Sequence, residues 1–160
     1  MSLVISPITP QQNDQICKII KAVGEEFGAI GEGFGPSDPE VLAMSEYYTL
    51  ESQSLYLVAS VDGKIVGGCG IAPFNRSLDT CELKKLFLLP QGRGLGLGRQ
   101  MSEQCLQFAT QQGFQQCYLD TLSVMTSAIA LYEKLGFSHL EKPMAGTEHN
   151  GCDVWMIKSL

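Results

Sequence analysis

The chain has 160 residues, enough for one domain with a hydrophobic core, and 44% of them are aliphatic, aromatic or cysteine. Its net charge of −6, without a basic stripe, argues against nucleic-acid binding and weakly favours cationic substrates such as amines. No apolar run reaches the roughly 18 residues of a membrane span, and no basic-then-apolar signal sequence follows Met1. These features predict a single domain over residues 1–160 in the cytoplasm, without nucleic-acid or membrane partners.

Cysteine spacing gives no metal-binding motif. The six cysteines stand at positions 17, 69, 81, 105, 117 and 152, and none forms a Cys-x-x-Cys pair. A zinc site is therefore not expected. Because most of the cysteines fall within apolar strands or helix faces, we expect buried free thiols.

The N-terminal part of the chain is predicted to form a strand, a helix and a loop. The strand covers Leu3–Ile5, and Thr9, followed by proline, caps the helix. Apolar residues spaced three and four apart predict that this helix runs to about Phe27 and buries one face. Residues 28–39 are rich in glycine and proline, which favours a loop, and a second helix follows over 39–46.

Three strands are predicted next. Strands over 55–61 and 65–72 are joined by a tight turn at Asp62-Gly63, and a further strand covers 81–89. Glycines at positions 67, 68 and 70 weaken the second of these strands, which indicates a bulge or a close approach of two backbones.

The most informative stretch joins a strand to a helix through alternating glycines. The strand ends at Pro90, because proline cannot donate to a sheet ladder. Glycines follow at positions 92, 94, 96 and 98, and an apolar helical face runs from Leu97 to near Gly113. Unpaired N–H groups and the positive dipole at the helix start favour a phosphate group, and glycines let it reach the backbone. The alternative is that the glycines only form a flexible turn.

This loop differs from two common phosphate-binding motifs. No Lys-Ser or Lys-Thr follows its last glycine, as a Walker A loop requires. Its glycine spacing and mid-chain position also differ from the dinucleotide fingerprint, which argues against a nucleotide-dependent oxidoreductase.

The C-terminal part completes a mixed α/β domain around one sheet. The predicted elements are a strand over 117–122, a helix over 127–135 and strands over 137–141 and 153–158. Thr126 is the expected cap of the helix, and Gly136 is its expected end.

Two motifs resemble the GNAT superfamily of N-acetyltransferases. The glycine loop fits the family pattern Gln/Arg-x-x-Gly-x-Gly/Ala in two registers, one beginning at Gln91 and one at Arg93. The register at Arg93, with Gly96 and Gly98, leaves the usual gap after the strand-ending proline. The second motif is Ala-x-x-Leu-Tyr-x-x-x-Gly-Phe over residues 128–137, a familiar close of such domains.

The resemblance implies an α/β fold with a mixed, mostly antiparallel sheet of six or seven strands flanked by about four helices. It implies an acetyl-CoA-dependent N-acetyltransferase that moves an acetyl group from the CoA thioester to a primary amine by direct transfer, without a metal. The alternative is a non-catalytic domain of the same fold that binds CoA for regulation. The acceptor would be a small-molecule or peptide amine, and homodimers are frequent among such domains.

The resemblance also assigns residues to the cofactor. In the family, loop amides hold the diphosphate of CoA, two strands splay apart beside its pantetheine arm, and a tyrosine points at its sulfur. The matching cofactor-binding residues are Leu86, Phe87, Leu88, Arg93, Gly94, Leu95, Gly96, Leu97, Gly98, Arg99 and Tyr132. The alternative for Arg93 is an ordinary exposed side chain. Met125 stands where many family members carry asparagine.

Two residues are the candidate catalysts that the resemblance implies. Tyr132 is the candidate acid for the departing thiolate, with a core position on the helix face as the alternative. Glu82 is the candidate base for the amine, with a simple ion pair to Lys84 as the alternative. Since Glu82 lies six residues before Leu88, the two side chains are expected on one face of the strand. The Leu88 N–H is the expected donor to the thioester oxygen.

The acceptor pocket is expected between the loop over 28–39 and residues 147–152. The candidate contacts are Glu32, Phe34, Asp38, Tyr47 and Tyr48. The alternative for the first loop is a surface segment that packs one aromatic residue.

Overall fold

The structure is a computed structural model that describes residues 1–160 and contains seven strands and four α-helices. The strands are β1 (Leu3–Pro7), β2 (Leu55–Val61), β3 (Lys64–Pro73), β4 (Thr80–Leu88), β5 (Gln116–Thr121), β6 (Ser138–Leu140) and β7 (Val154–Ser159). The helices are α1 (Asn13–Glu26), α2 (Met44–Tyr47), α3 (Leu97–Gln111) and α4 (Thr126–Lys134). All strands form one sheet in the order β1-β2-β3-β4-β5-β7-β6, antiparallel except between β4 and β5. This confirms the predicted mixed, mostly antiparallel sheet. No helix combines the length and apolar character needed to cross a bilayer.

Three predicted helix boundaries need correction. A 3₁₀ turn over Pro10–Gln12 precedes α1. The second predicted helix is mostly a 3₁₀ turn over Pro39–Ala43, and α2 starts only after it, because Ala43 has non-helical angles of φ −152° and ψ 62°. Thr126 is the first residue of α4, and Met125 takes the cap position predicted for it.

Helices pack on both faces of the sheet and bury the apolar faces that their spacing predicts. On one face, Ile16 and Ile20 of α1 share a core with Phe87. On the other face, Leu97 and Met101 of α3 lie in a second core. Four of the six cysteines are buried and all six are free thiols, as expected.

Strand β3 approaches β4 so closely that a side chain at Gly67 has no room. A Cβ at this position would lie 2.0 Å from the Phe87 carbonyl oxygen and 2.9 Å from the Leu88 Cα. The pairing register also shifts between Gly68 and Gly70. Both features confirm the interpretation of the β3 glycines as a bulge and a close approach.

The same shift places one extra residue in β4. On β3, Gly68 and Gly70 are two residues apart. Their partners on β4, Phe87 and Lys84, are three residues apart, so β4 contains one residue more than β3 over this stretch. Lys85 has a φ of 58°, in the left-handed region that a bulge residue can adopt.

The bulge reverses the alternation of side chains along β4. Before the bulge, Leu83 packs in the core on the α3 side, which puts Glu82 on the α1 side. After the bulge, Phe87 packs on the α1 side and Leu88 packs against the α3-side core. The prediction that Glu82 and Leu88 share a face is therefore wrong, because the extra residue changes the parity between them.

Strands β4 and β5 diverge after a short parallel contact. They pair at three positions, from Thr80–Gln116 to Glu82–Tyr118. Beyond that contact β4 continues to Leu88 and β5 continues to Thr121 without pairing. The sheet therefore contains a wedge-shaped gap, in agreement with the splayed strands that the resemblance implies.

The substitution Gly67→Ala tests the close approach of β3 and β4. Because the obstructing atoms belong to the backbone, we expect the free energy of unfolding to fall by about 1–3 kcal/mol in urea denaturation. Gly35→Ala is the matched control, since a Cβ there would meet no atom closer than 3.9 Å. Its stability should stay within about 0.5 kcal/mol of wild type. Equal stability of the two variants would contradict the described packing.

Candidate active site

A cleft of about 310 Å³ opens between the glycine loop, the end of β4 and the start of α4. Its wall includes seven of the predicted cofactor-binding residues: Leu86, Leu88, Arg93, Gly94, Gly96, Gly98 and Arg99. We call it the glycine-loop cleft. The side chains of Phe87 and Leu97 are instead buried in the two cores, and Leu95 and Tyr132 are also absent from the wall.

The glycine loop, which lines this cleft with Gly94, Gly96, Gly98 and Arg99, carries a row of free N–H groups. Gly94 and Gly96 have φ angles of 75° and 82°, and Gly96 occupies the cap position of α3 without a capping side chain. The first internal hydrogen bond runs from the Gln100 N–H to the Gly96 carbonyl, at 3.0 Å. The N–H groups of residues 94–99 donate to no acceptor in the protein. Together with the helix dipole, they form a site suited to an anion.

The backbone of Leu88 points into the gap between β4 and β5. Its neighbour Leu89 donates its N–H to the Val66 carbonyl on the other side, at 2.8 Å. Because successive N–H groups of a strand point to opposite sides, the Leu88 N–H faces the gap. The Leu88 carbonyl accepts a hydrogen bond from Arg93 Nε at 2.9 Å.

Arg93 is held on the wall of the cleft by an ion pair. Its guanidinium donates to both carboxylate oxygens of Glu26, at 2.7 and 2.8 Å, and lies 5.3 Å from the ring centre of Phe27. The hydrogen bond to Glu26 raises the pKa of Arg93 and lowers that of Glu26. This partly exposed ion pair fits the alternative of an ordinary surface arginine, and Arg93 can reach a phosphate only by leaving Glu26.

A buried imidazole lies on the opposite side of the gap. His149, with 6% of its surface exposed, places Nδ1 2.8 Å from Asp120 Oδ1 and Nε2 2.8 Å from Asp38 Oδ2. Its Nδ1 is also 3.5 Å from Glu82 Oε2. Asp120 accepts further hydrogen bonds from the hydroxyls of Thr147, at 2.6 Å, and Tyr118, at 3.2 Å.

Two lysines complete this group of charges. Lys85, whose side chain is 1% exposed, lies 2.8 Å from Asp38 and 3.4 Å from Glu40. Lys84 lies 3.5 Å from Glu40 and 3.9 Å from Glu82. We call the whole set the charge cluster: Asp38, Glu40, Glu82, Lys84, Lys85, Asp120 and His149. The Glu82–Lys84 pair expected as the alternative is thus present, but as one part of a larger network.

The cluster fixes His149 as an imidazolium near neutral pH. Burial alone would lower the pKa of His149, but its hydrogen bonds to Asp120, Asp38 and Glu82 raise it to about 11. For Asp38, burial raises the pKa, whereas the hydrogen bond from His149 and the charge of Lys85 bring it down to about 2. Glu82, Asp120 and His149 also offer one metal-ligand atom each within 4.8 Å of one another.

Tyr132 projects from α4 into the core on the α3 side. It is 6% exposed, and its ring centre lies 5.9 Å from that of Phe137. Burial raises the pKa of Tyr132 well above its usual range. No side chain or carbonyl of the protein bonds to its hydroxyl, which keeps some contact with solvent. This packing fits the alternative of a core tyrosine. Because its hydroxyl has no partner in the protein, the role of Tyr132 as an acid stays a prediction.

Two further cavities lie on either side of the charge cluster. A polar cleft of about 630 Å³ has Tyr47, Tyr48 and Glu82 in its wall, together with residues of the β3–β4 connection. A middle cavity of about 60 Å³ fills the gap between β4 and β5 and has Phe34 and Cys152 in its wall. Of the candidate acceptor contacts, Glu32 and Asp38 line neither cavity.

Sequence reasoning missed the role of Asp120, Lys85 and His149 in one cluster. Asp120 could have been noticed as a carboxylate in an apolar strand, since Leu119-Asp120-Thr121 interrupts the hydrophobic run. His149 carries no such local signal, because its partner Asp38 is 111 positions away.

Comparisons with known proteins agree with this architecture. The model of the acetyltransferase (GNAT) family matches residues 21–137. The uncharacterized N-acetyltransferase YjgM of Escherichia coli K12 is 37% identical over 161 aligned positions, covering 99% of this chain and 96% of that protein. The probable N-acetyltransferase camello of Xenopus tropicalis is 30% identical over 112 positions, covering 70% of this chain and 50% of that protein.

Solved structures show the same fold at lower sequence identity. A GNAT-family acetyltransferase of Staphylococcus aureus Mu50 superposes with a TM-score of 0.86 at 19% identity, covering 99% of both chains. The PaiA N-acetyltransferase of Thermoplasma acidophilum, solved in complex with coenzyme A, has a TM-score of 0.79 at 17% identity and full coverage of both chains, 100% each. On the strength of the family match and the full-length relative, the chain belongs to the acetyltransferase (GNAT) family of acyltransferases.

Proposed function

We propose that residues 1–160 form a single N-acetyltransferase domain that transfers an acetyl group directly from acetyl-CoA to a primary amine. The observation that supports this most strongly is the row of N–H groups over residues 94–99 that lack a protein acceptor. Four of these six residues line a cleft that leads, along the gap between β4 and β5, towards the charge cluster.

The glycine-loop cleft fits the chemistry of CoA. The amides of residues 94–99 would hold the diphosphate, and the strand backbone over Leu86–Leu88 would accompany the pantetheine arm. Apolar side chains, among them Phe27 and Leu131, line the same cleft and suit the alkyl parts of the arm. Arg93 would add a positive charge beside the diphosphate on release from Glu26.

The transfer forms a C–N bond to the acceptor amine and breaks the C–S bond of the thioester. Glu82 would accept the first proton of the ammonium and pass it to solvent. The Leu88 N–H would donate to the thioester oxygen as charge develops there. Tyr132 would protonate the departing sulfur, and the second proton lost by the amine would restore its hydroxyl.

Protonation within the charge cluster favours Glu82 over His149 as the base. His149, whose pKa is raised to about 11, already carries both ring protons at neutral pH and cannot accept another. Glu82 lies in the wall of the polar cleft, from which an acceptor would approach.

The polar cleft favours a cationic acceptor. Besides the charge cluster, its wall carries Glu51, Glu148 and Arg76, and none of these three forms an ion pair in the protein. Two of the three free charges are negative, which attracts an ammonium group. We therefore propose a polar small-molecule or peptide amine as the acceptor.

The substitutions Gly98→Asp and Gly98→Asn test the diphosphate site by charge alone. A Cβ at Gly98 lies 3.5 Å from Leu131 and 3.7 Å from Leu88, so both side chains enter the cleft and occupy similar volumes. We expect the Asp variant to bind CoA at least about tenfold more weakly than the Asn variant in calorimetric titration, since its carboxylate repels the diphosphate.

The stability of the two variants serves as the internal control for this comparison. A carboxylate in the first turn of a helix is stabilising, so the Asp variant should unfold no more easily than the Asn variant. Equal CoA affinity of the two variants, or a wild-type protein that binds no CoA, would contradict the proposed site.

Thiol release from acetyl-CoA with a panel of amines tests the catalytic assignments. We expect Glu82→Gln and Tyr132→Phe each to lower kcat by about 10²-fold or more, because each removes one proton-transfer group. The affinity for acetyl-CoA should stay near that of wild type. Glu133→Gln, on the exposed side of α4, is the control and should retain full activity. Wild-type rates in both active-site variants would refute these roles, and the absence of thiol release with every amine would refute the transferase proposal.

The charge cluster predicts that stability falls as the pH rises above neutrality. His149 titrates near 6.5 when unfolded but near 11 when folded, so the folded state holds the extra proton between these values. We expect the free energy of unfolding to decrease by about 1–2 kcal/mol between about pH 7 and pH 8.5. Unfolded thiols, with a pKa of about 8.5, also begin to ionise towards the upper end of this range.

Two variants separate this effect from general alkaline destabilisation. His149→Gln should be less stable and show a flatter dependence on pH, whereas His139→Gln, at an exposed position, should keep the wild-type slope. A wild-type slope in His149→Gln would show that His149 is not the group responsible.

A further inference from the structure

The middle cavity is the narrowest of the three spaces along the gap between β4 and β5. Its volume is about 60 Å³, against about 310 Å³ for the glycine-loop cleft and about 630 Å³ for the polar cleft. Met125 lines both the middle cavity and the glycine-loop cleft, and Lys84 and His149 line both the middle cavity and the polar cleft. If acetyl-CoA lies as proposed above, its acyl group enters this cavity.

The walls of the middle cavity differ in polarity. Asp120, Lys84, Lys85 and His149 form the side next to the charge cluster. The rest of the wall is mainly apolar and includes Ala29, Phe34, Pro36, Phe87, Leu122 and Met125. An alkyl chain attached to the thioester would therefore extend towards this apolar wall, away from the charges.

Phe34 is fixed in that wall by contacts with the opposite loop. The Gly151 N–H donates to the Gly33 carbonyl at 2.8 Å, directly beside Phe34 in the chain. The Phe34 ring packs on Gly151 so closely that a Cβ there would lie 2.5 Å from its Cζ. On the other side of Phe34, Asp38 is bonded to His149 at 2.8 Å. The loop that carries Phe34 is thus tied to the loop over residues 149–151 at two points.

The segment behind Phe34 is also packed. Pro36 is buried, and a Cβ on Gly24 of α1 would lie only 2.5 Å from its Cγ. The loop therefore cannot retreat towards α1 without displacing the helix. A longer acyl chain would have to displace Phe34 itself.

We propose that Phe34 determines the acyl-chain length of the donor by closing the end of the acyl cavity. This inference rests on the proposed function and specifies its donor. A single water needs roughly 10–15 Å³ in such a cavity, so about 60 Å³ accommodates an acetyl or propionyl group but not a six-carbon chain. Removal of the Phe34 ring would extend the cavity towards Gly151.

Steady-state thiol release with acetyl-, propionyl-, butyryl- and hexanoyl-CoA tests the proposal. We expect wild type to favour acetyl-CoA over hexanoyl-CoA by about 100-fold or more in kcat/KM. Phe34→Ala should reduce this ratio by about tenfold or more, mainly by raising the rate with the longer donors. Ile30→Ala is the matched control, because Ile30 belongs to the same loop, is 64% exposed and does not line the cavity.

Two results would overturn the proposal. One is wild-type turnover of hexanoyl-CoA within about tenfold of acetyl-CoA. The other is an unchanged ratio in a folded Phe34→Ala protein. If thermal melting shows that Phe34→Ala does not fold, the same assay is made with Phe34→Leu. We expect this variant to lower the ratio of kcat/KM between acetyl-CoA and hexanoyl-CoA by a smaller factor, and an unchanged ratio would overturn the proposal.

Binding measurements separate this proposal from the proposed function. If wild type binds acyl-CoA but releases no thiol, the transferase proposal fails, and the dissociation constants of acetyl- and hexanoyl-CoA then test Phe34 alone. A wild-type preference for acetyl-CoA that Phe34→Ala removes supports the role of Phe34. Equal affinities in wild type, or a preference that Phe34→Ala leaves intact, refute it.

Discussion

The divergence of β4 and β5 is the constraint on which the site depends, because it leaves backbone groups of a central strand without a sheet partner. β4 keeps its antiparallel partner β3 along its length but loses β5 after three paired positions. Buried backbone N–H and C=O groups need hydrogen-bond partners. In the gap, the Leu88 carbonyl accepts a hydrogen bond from Arg93 Nε. The Leu88 N–H is directed at the space where a ligand would lie.

Because of the bulge at Lys85, the single strand β4 places side chains in the walls of two cavities. Before the bulge, Glu82 lies in the wall of the polar cleft, and after it, Leu88 lies in the wall of the glycine-loop cleft. Without the extra residue, these two side chains would point to the same face of the sheet. The close approach at Gly67 holds the bulged part of β4 against β3, because only glycine leaves room for the Phe87 carbonyl.

The charge cluster links β4 and β5, which diverge after Glu82 and Tyr118, to two loops. Its four carboxylates and three cations come from β4, β5 and two loops, and burial makes each charge costly unless it is paired. Such a network adds little net stability compared with apolar packing, but it restricts where its members can lie. Here it places Asp38 and His149 together and so closes both loops over the middle cavity.

The sequence by itself determined the features that depend on neighbouring residues. The spacing of apolar residues predicted the buried faces of α1 and α3, and alternating glycines between a strand and a helix predicted a row of free N–H groups. Only the tertiary structure decided the face of Glu82, the core packing of Tyr132 and the pairing of Asp38 with His149. The first set follows from hydrogen bonds and side-chain periodicity within a few positions. The second set depends on an extra residue in one strand and on distant charges that must find partners once water is excluded.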